Sequence, residues 1–209
     1  IYVCSVGAYA GSFYAANQPD IIEEVWREHS HGILLVNPLN PLRGESILDL
    51  DYMLGLFRRP PFKIDTEAIL ASPERLCFVL TDYASGEARY MNPKDKEEVF
   101  LFMRASAAIP ILHPPVLING QKFFDGAMTD PLPVEKALAD GHDEIVVVYN
   151  KPRLEIDRHD KIFMFLVSLG YKGDLNQLRQ NYYGGCNRVE KAVNESTKVR
   201  MIRPTTQLP

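Results

Sequence analysis

A chain of 209 residues with a formal net charge of −4 has no basic field to gather phosphates along a duplex, which sets nucleic-acid binding aside. Its hydrophobic fraction of 46 % supplies the core of one soluble domain, and no apolar run approaches the roughly 18 residues of a membrane span. The three cysteines, Cys4, Cys77 and Cys186, form no C-x-x-C pair, which argues against a disulfide framework or a zinc site and fits a reducing, cytoplasmic setting.

The chain opens on Ile1 within an apolar run and closes on Pro209 just after another, so both ends read as cut inside a single domain over residues 1–209. Residues 1–6 have the β-branched and aromatic content of a buried strand. Residues 7–11 read as a tight turn bracketed by Gly7 and Gly11, and residues 12–17 continue as helix. A second helix spans 21–29 with Asp20 as its cap. A short strand at 33–37 precedes a proline-rich, irregular stretch whose apolar part, 47–57, is placed to cover a cleft. Residues 65–71 form a short helix stopped by Ser72-Pro73.

Residues 75–81 are a buried strand with a hairpin partner at 87–91. Asn92 and Pro93 open a helix with Val99, Phe100 and Met103 on one face. Apolar runs at 116–118 and 121–124 flank Asn119-Gly120, the strongest short hairpin signal. A helix over 133–140 closes at Gly141, and 144–149 is another buried strand. Helices follow at 161–169, 175–183 and 188–194, then a strand at 198–202. Apolar strands alternating with helices imply an α/β fold with a sheet covered on both faces, and the Asn119-Gly120 hairpin makes it less than purely parallel.

Strand, glycine-bracketed turn and helix is also the frame of a nucleophile elbow, G-x-S-x-G, in which a serine sits at a strained apex beside the first helical N–H groups. Here the five residues are Gly7-Ala8-Tyr9-Ala10-Gly11, and the serine is missing. Taken alone, the segment is also compatible with a plain βα turn or a phosphate loop, although neither G-x-G-x-x-G nor the P-loop lysine is present. Ser5 falls in the predicted strand and Ser12 on the predicted helix, so neither replaces it. Asp125-Gly126 ends the hairpin. Its carboxylate is suited to act as general base to a serine hydroxyl, while Asp-Gly is equally a common turn.

The elbow frame and Asp125-Gly126-Ala127, with Thr81-Asp82, Arg104-Ala105-Ser106-Ala107-Ala108-Ile109-Pro110, Pro114-Pro115-Val116 and the run from Met128 to Pro133, resemble the patatin-like phospholipases along nearly the whole chain. That resemblance implies a three-layer α/β/α fold with a mainly parallel central sheet. It also implies a Ser–Asp dyad without histidine, hydrolysis of acylated lipids or other acyl esters, and no metal or organic cofactor. A glycine-rich oxyanion loop is expected ahead of the elbow. Tyr9 in the serine position predicts an impaired enzyme, with Asp125 idle or bonded to the Tyr9 hydroxyl. The alternative is a non-catalytic lipid-binding or regulatory protein.

Of the five histidines, His113 comes closest to a cleft but reads as surface or supporting structure. His29 and His31 are too close for a helical metal pair. Arg58-Arg59 beside Phe57 and Phe62 suggests a contact with anionic headgroups at a peripheral membrane surface, although a solvated loop accounts for it as well. Leu54, Leu56 and Phe57 are candidates for an acyl-chain pocket. Tyr182-Tyr183 and the apolar stripe over 162–169 read as core.

Overall fold

A computed structural model describes residues 1–30 and 34–206. The readings of His31 and of a strand starting at Ile33 lie outside the described residues. The short strand β1 (Tyr2–Val3) pairs in parallel with β2 (Cys77–Asp82), every residue of which is buried. Complete burial on both faces is what its unbroken apolar run demands. Two hairpins then add antiparallel pairs. β3 (Ala88–Met91) returns along one edge of β2, and β5 (Gln121–Asp125), joined to β4 (Val116–Ile118), takes the other. Asn119 and Gly120 both have positive φ, 50° and 81°, as a two-residue hairpin loop requires. A separate parallel pair, β6 (Ile145–Val148) and β7 (Val199–Ile202), completes the α/β architecture.

Helices cover both faces of the larger sheet. On one side α1 (Val6–Ala15), α2 (Pro19–Glu28), α3 (Leu50–Phe57), α4 (Thr66–Ala71) and α5 (Lys96–Ser106) bury Phe13, Phe57, Met103, Phe78 and Phe123 in one core. On the other, α7 (Arg158–Gly170) and α8 (Leu175–Glu195) pack Met164, Val167 and Leu178 against Phe124. Phe123 and Phe124 face opposite layers, as the period of two dictates. Between them in sequence, α6 (Val134–Ala139) ends at Gly141, whose φ is 84°.

Several boundaries differ from expectation. The first strand ends at Val3 and helix begins at Val6, so Gly7 to Gly11 are helical and form no turn. α2 starts at Pro19, with Asp20 inside its first turn, where a carboxylate meets the helix dipole. Asn92 does not cap α5; its amide donates to the Leu76 carbonyl at 2.8 Å, and Asp95 caps by accepting from Glu97 and Glu98. Around Val36 there is only an isolated bridge to Leu48. The two helices expected after residue 175 are the single 21-residue α8.

α1 lies unusually close to β1. A Cβ added at Gly11 would sit 2.2 Å from Cγ1 of Val3, which is buried. Gly11→Ala is therefore expected to destabilise the fold by ~1–3 kcal/mol through overpacking, despite the better helix propensity of alanine. Val3→Ala in the same chain should recover much of that loss. Chemical denaturation of both single variants and the double variant checks this. Additive effects would show that the two residues do not share the space.

Candidate active site

Two residues, Cys4 and Ser5, join β1 to α1, and the second carries the strain. Ser5 has φ 52° and ψ −130°, a region where a residue with a Cβ rarely sits. Such a conformation costs on the order of 1–3 kcal/mol and persists only where the surroundings impose it. Those surroundings are specific. The Ser5 N–H donates to Ser106 Oγ at 3.1 Å, and Ser106, fully buried at the end of α5, donates in turn to the Val79 carbonyl at 2.8 Å. The apex is thereby tied through one hydroxyl to the central strand.

The Ser5 hydroxyl donates to Asp125 Oδ2 at 2.6 Å. Asp125 closes β5 and is 3 % exposed. Its other carboxylate oxygen accepts the Ala127 N–H at 2.8 Å, and its own N–H donates to the Ala108 carbonyl at 3.0 Å. Thr81 Oγ1 donates to the Asp125 carbonyl at 2.8 Å and meets Thr129 Oγ1 at 2.9 Å. Burial pushes the Asp125 carboxyl up to about 6, against the two hydrogen bonds that favour its ionised form. Gly126 is dictated by backbone crowding, since a Cβ there would lie 2.2 Å from the Val79 carbonyl oxygen.

A carboxylate poised near neutrality, in short contact with a serine hydroxyl at a strained strand-to-helix turn, can take that hydroxyl's proton. The first N–H groups of a helix lack intrahelical partners, so those of Val6 and Gly7 stand beside the serine as donors for a developing oxyanion. A Cβ at Gly7 would meet nothing within 4 Å among the described residues, so this glycine leaves open space next to Ser5. No histidine among the described residues bonds Ser5 or Asp125; His113 Nδ1 lies 2.7 Å from the Pro114 carbonyl oxygen, on the wall of a separate cleft.

Tyr9 lies elsewhere. It is one helical turn past Ser5, inside α1 and 3 % exposed, with Ala8 also buried and Ala10 on the outer side. Its ring packs edge-on to Phe57, centroids 5.3 Å apart, and against Trp26 at 6.2 Å. Its hydroxyl has no hydrogen-bond partner among the described residues, so it does not bond Asp125. The apex expected at Tyr9 is thus at Ser5, within Val3-Cys4-Ser5-Val6-Gly7. This frame keeps the serine and the second glycine of G-x-S-x-G. The first glycine gives way to Val3, and the room that a strand glycine would leave for the helix comes from Gly11 instead. The signal that finds Ser5 in the sequence is its downstream spacing, Ser-x-Gly; the roles of Ser106 and Thr81 had no local signal.

Other expectations are also redistributed. Leu54 and Phe57 are buried core residues with Leu56 packed partly buried against them; Phe57 packs edge-on to Tyr9 and lines a cavity of about 440 Å³ whose other walls include Arg58, Lys63, Asp65, Glu67 and Glu97, a charged lining unlike an acyl pocket. Phe57 and Phe62 are buried, and the Arg58 guanidinium stacks 3.8 Å from the Phe100 ring centroid and pairs with Glu97 at 3.2 Å, so neither phenylalanine is presented outward beside the arginines. Among the described residues, no cluster of three or more His, Cys, Asp or Glu could hold a metal ion.

Comparison with known proteins adds an independent line. The family model described as patatin-like phospholipase matches residues 1–138, from β1 through the Asp125-Gly126 turn to α6. The uncharacterized protein YjjU of Escherichia coli (strain K12) is 29 % identical over 154 residues, covering 71 % of this chain and 42 % of the relative. The chain therefore spans less than half the length of that relative.

Proposed function

This chain belongs to the patatin-like phospholipase family, and from that premise we propose that it is a lipid acyl hydrolase working through a dyad of Ser5 and Asp125. The observation that carries the reading is the 2.6 Å hydrogen bond from the strained apex serine to the buried carboxylate. In the first step the Ser5 oxygen attacks the ester carbonyl carbon while its proton passes to Asp125 Oδ2. The tetrahedral oxyanion turns toward the N–H groups of Val6 and Gly7. The carbonyl re-forms, the C–O bond to the alcohol breaks, and Asp125 returns the proton to the departing alkoxide. Water repeats the sequence on the acyl-enzyme and releases the fatty acid. The dyad needs no metal or organic cofactor.

The substrate class is an acylated lipid or a related acyl ester. Residues 1–209 are read as a single patatin-like domain. The non-catalytic alternative drew its force from Tyr9 at the apex. With a serine at that place, hydrolysis is the reading we favour. The test is hydrolysis of p-nitrophenyl butyrate together with labelling by a fluorophosphonate. Turnover and a label that maps to Ser5 are expected. A folded chain that neither turns over nor takes the label at Ser5 would overturn the assignment.

A further inference from the structure

Asp125 stands at the start of a short turn, and one of the groups holding that turn comes from outside the sheet. The 3-10 turn Gly126–Met128 presents the Ala127 N–H to Asp125 Oδ1. The Gly126 carbonyl closes it by accepting from the N–H groups of Thr129 and Asp130 at 3.0 and 2.9 Å. A shift of Thr129 therefore carries through Gly126 to Ala127 and to the carboxylate. Side chains from different elements fix the ends. Thr81 of β2 holds the Asp125 carbonyl, Tyr90 of β3 donates to Asp130 Oδ2 at 2.6 Å, and Arg188 of α8 donates to the Thr129 carbonyl at 3.0 Å.

Arg188 reaches that carbonyl along a path built for it. Its side chain is 33 % exposed, and Nη2 also bonds the Asn181 carbonyl at 3.3 Å, so the guanidinium lies back along α8. A Cβ at Gly184 would fall 2.8 Å from Arg188 Nη1, and one at Gly185 would press on Pro131 Cδ. Glycine weakens a helix interior. Here each glycine admits a neighbour, the guanidinium at Gly184 and the segment following Thr129 at Gly185. Thr129 is 2 % exposed, and its carbonyl takes no backbone N–H among the described residues. The charged donor thus satisfies an acceptor that would otherwise be buried unpaired. The ion pair with Glu135 is the looser contact, 3.6 Å from Nε to a mostly exposed carboxylate. The residues matched by the family model end at 138, and this anchor lies beyond them.

We propose that Arg188 is a positioning residue, holding from α8 the turn that aims Asp125 at Ser5. Its effect on catalysis rests on the dyad reading above; its effect on the carboxyl rests on the turn alone. Burial is the largest cause of the raised Asp125 carboxyl, with the bonds from Ser5 and Ala127 acting against it. Cys4 and Tyr9 feel the Asp125 charge, and burial keeps both neutral. Losing a nearby cation would, by its charge alone, raise the carboxyl further. A loosened turn admits water and lowers it. The two effects have opposite signs, so the direction of the change tells them apart.

Arg188→Met removes the donors and keeps the apolar stem. It should lower kcat for p-nitrophenyl butyrate about 10- to 100-fold, the scale of a misplacement of up to about 1 Å, and leave KM within about two-fold of wild type. The Asp125 carboxyl, followed by carbon-13 NMR and identified by its loss in Asp125→Asn, should titrate below the wild-type value of about 6. Arg188→Lys keeps a charged donor for the same carbonyl and should recover most of both. Glu135→Gln should change neither. Gly184→Ala pushes the guanidinium aside while leaving its charge in place, and should move both readouts in the direction of Arg188→Met. An unchanged carboxyl in folded Arg188→Met, or in Gly184→Ala where Arg188→Met does not fold, would overturn the positioning role. So would a carboxyl that titrates higher, or a wild-type kcat in an active enzyme. A wild type that hydrolyses no ester, with a carboxyl that Arg188→Met still lowers, would sink the dyad and keep the clamp; hydrolysis with an unmoved carboxyl would sink only the clamp.

Discussion

On the dyad proposed above, Ser5→Ala is expected to lower kcat/KM for a soluble ester by three orders of magnitude or more while the protein stays folded, as removal of a nucleophile does in serine hydrolases. The folded state should be somewhat less stable. The apex strain remains, and the substitution takes a hydrogen-bond donor from a buried carboxylate, at a cost of ~1–3 kcal/mol where Asp125 is ionised. Thermal melts beside steady-state kinetics separate loss of chemistry from loss of fold. Appreciable residual turnover in Ser5→Ala would mean that another group attacks the ester.

Tyr9→Ser is the informative contrast. If Tyr9 stood at the apex, a serine there would restore a nucleophile. Inside α1 the same substitution deletes a ring packed on Phe57 and Trp26, at an expected cost of about 3–5 kcal/mol. It should therefore lower the melting temperature and add no activity. Tyr9→Phe should be neutral or mildly stabilising, because it removes a buried hydroxyl that has no partner among the described residues. A rise in esterase activity in Tyr9→Ser would return the apex to position 9.

The contrast shows why the elbow was hard to place from residues alone. The apolar run over the first six residues reads as one strand, yet hydrophobicity does not tell the end of a strand from the start of a buried helix. Gly7 and Gly11 then look like turn residues, when Gly7 leaves space at a helix N-terminus and Gly11 admits Val3. The gap expected between helices at 175–183 and 188–194 contains Gly184 and Gly185. They lie within α8, where a Cβ at Gly185 would come 3.3 Å from Pro131 Cδ, so close packing rather than a break accounts for that glycine. Signals complete within a few residues were legible, such as the Asn119-Gly120 hairpin, the strand around Phe78 and the Asp125-Gly126 turn. What depended on distant partners was not. Ser106 matters because it reaches Ser5 and Val79 across the sheet. Val146 and Val148 belong to an apolar strand and are nonetheless exposed.

Asp125→Asn should separate catalysis from stability in opposite directions. The carboxyl sits at about 6 in the fold against an ordinary 3.8, so the folded state holds its proton more tightly than the unfolded chain. The stability this contributes is fully present below about pH 4 and is lost as pH rises through 6. Above that, both states are ionised and the fold bears a burial cost of ~3 kcal/mol, two units at about 1.4 kcal/mol each. Asparagine avoids that cost and keeps an acceptor for one of the two hydrogen bonds. Asp125→Asn should thus raise stability by ~1–2 kcal/mol at pH 8 and give no gain at pH 4. Catalysis should move the other way. General-base action requires the ionised form, so wild-type kcat/KM should fall about tenfold per pH unit below 6 and level off above it. The variant should lose ~10²–10⁴-fold at every pH, the usual contribution of a general base. Denaturation at the two pH values and a pH–rate profile test both halves. A profile governed by a group far from 6, or a variant that turns over normally, would mean that the carboxylate supports the Ser5 turn without serving as its base.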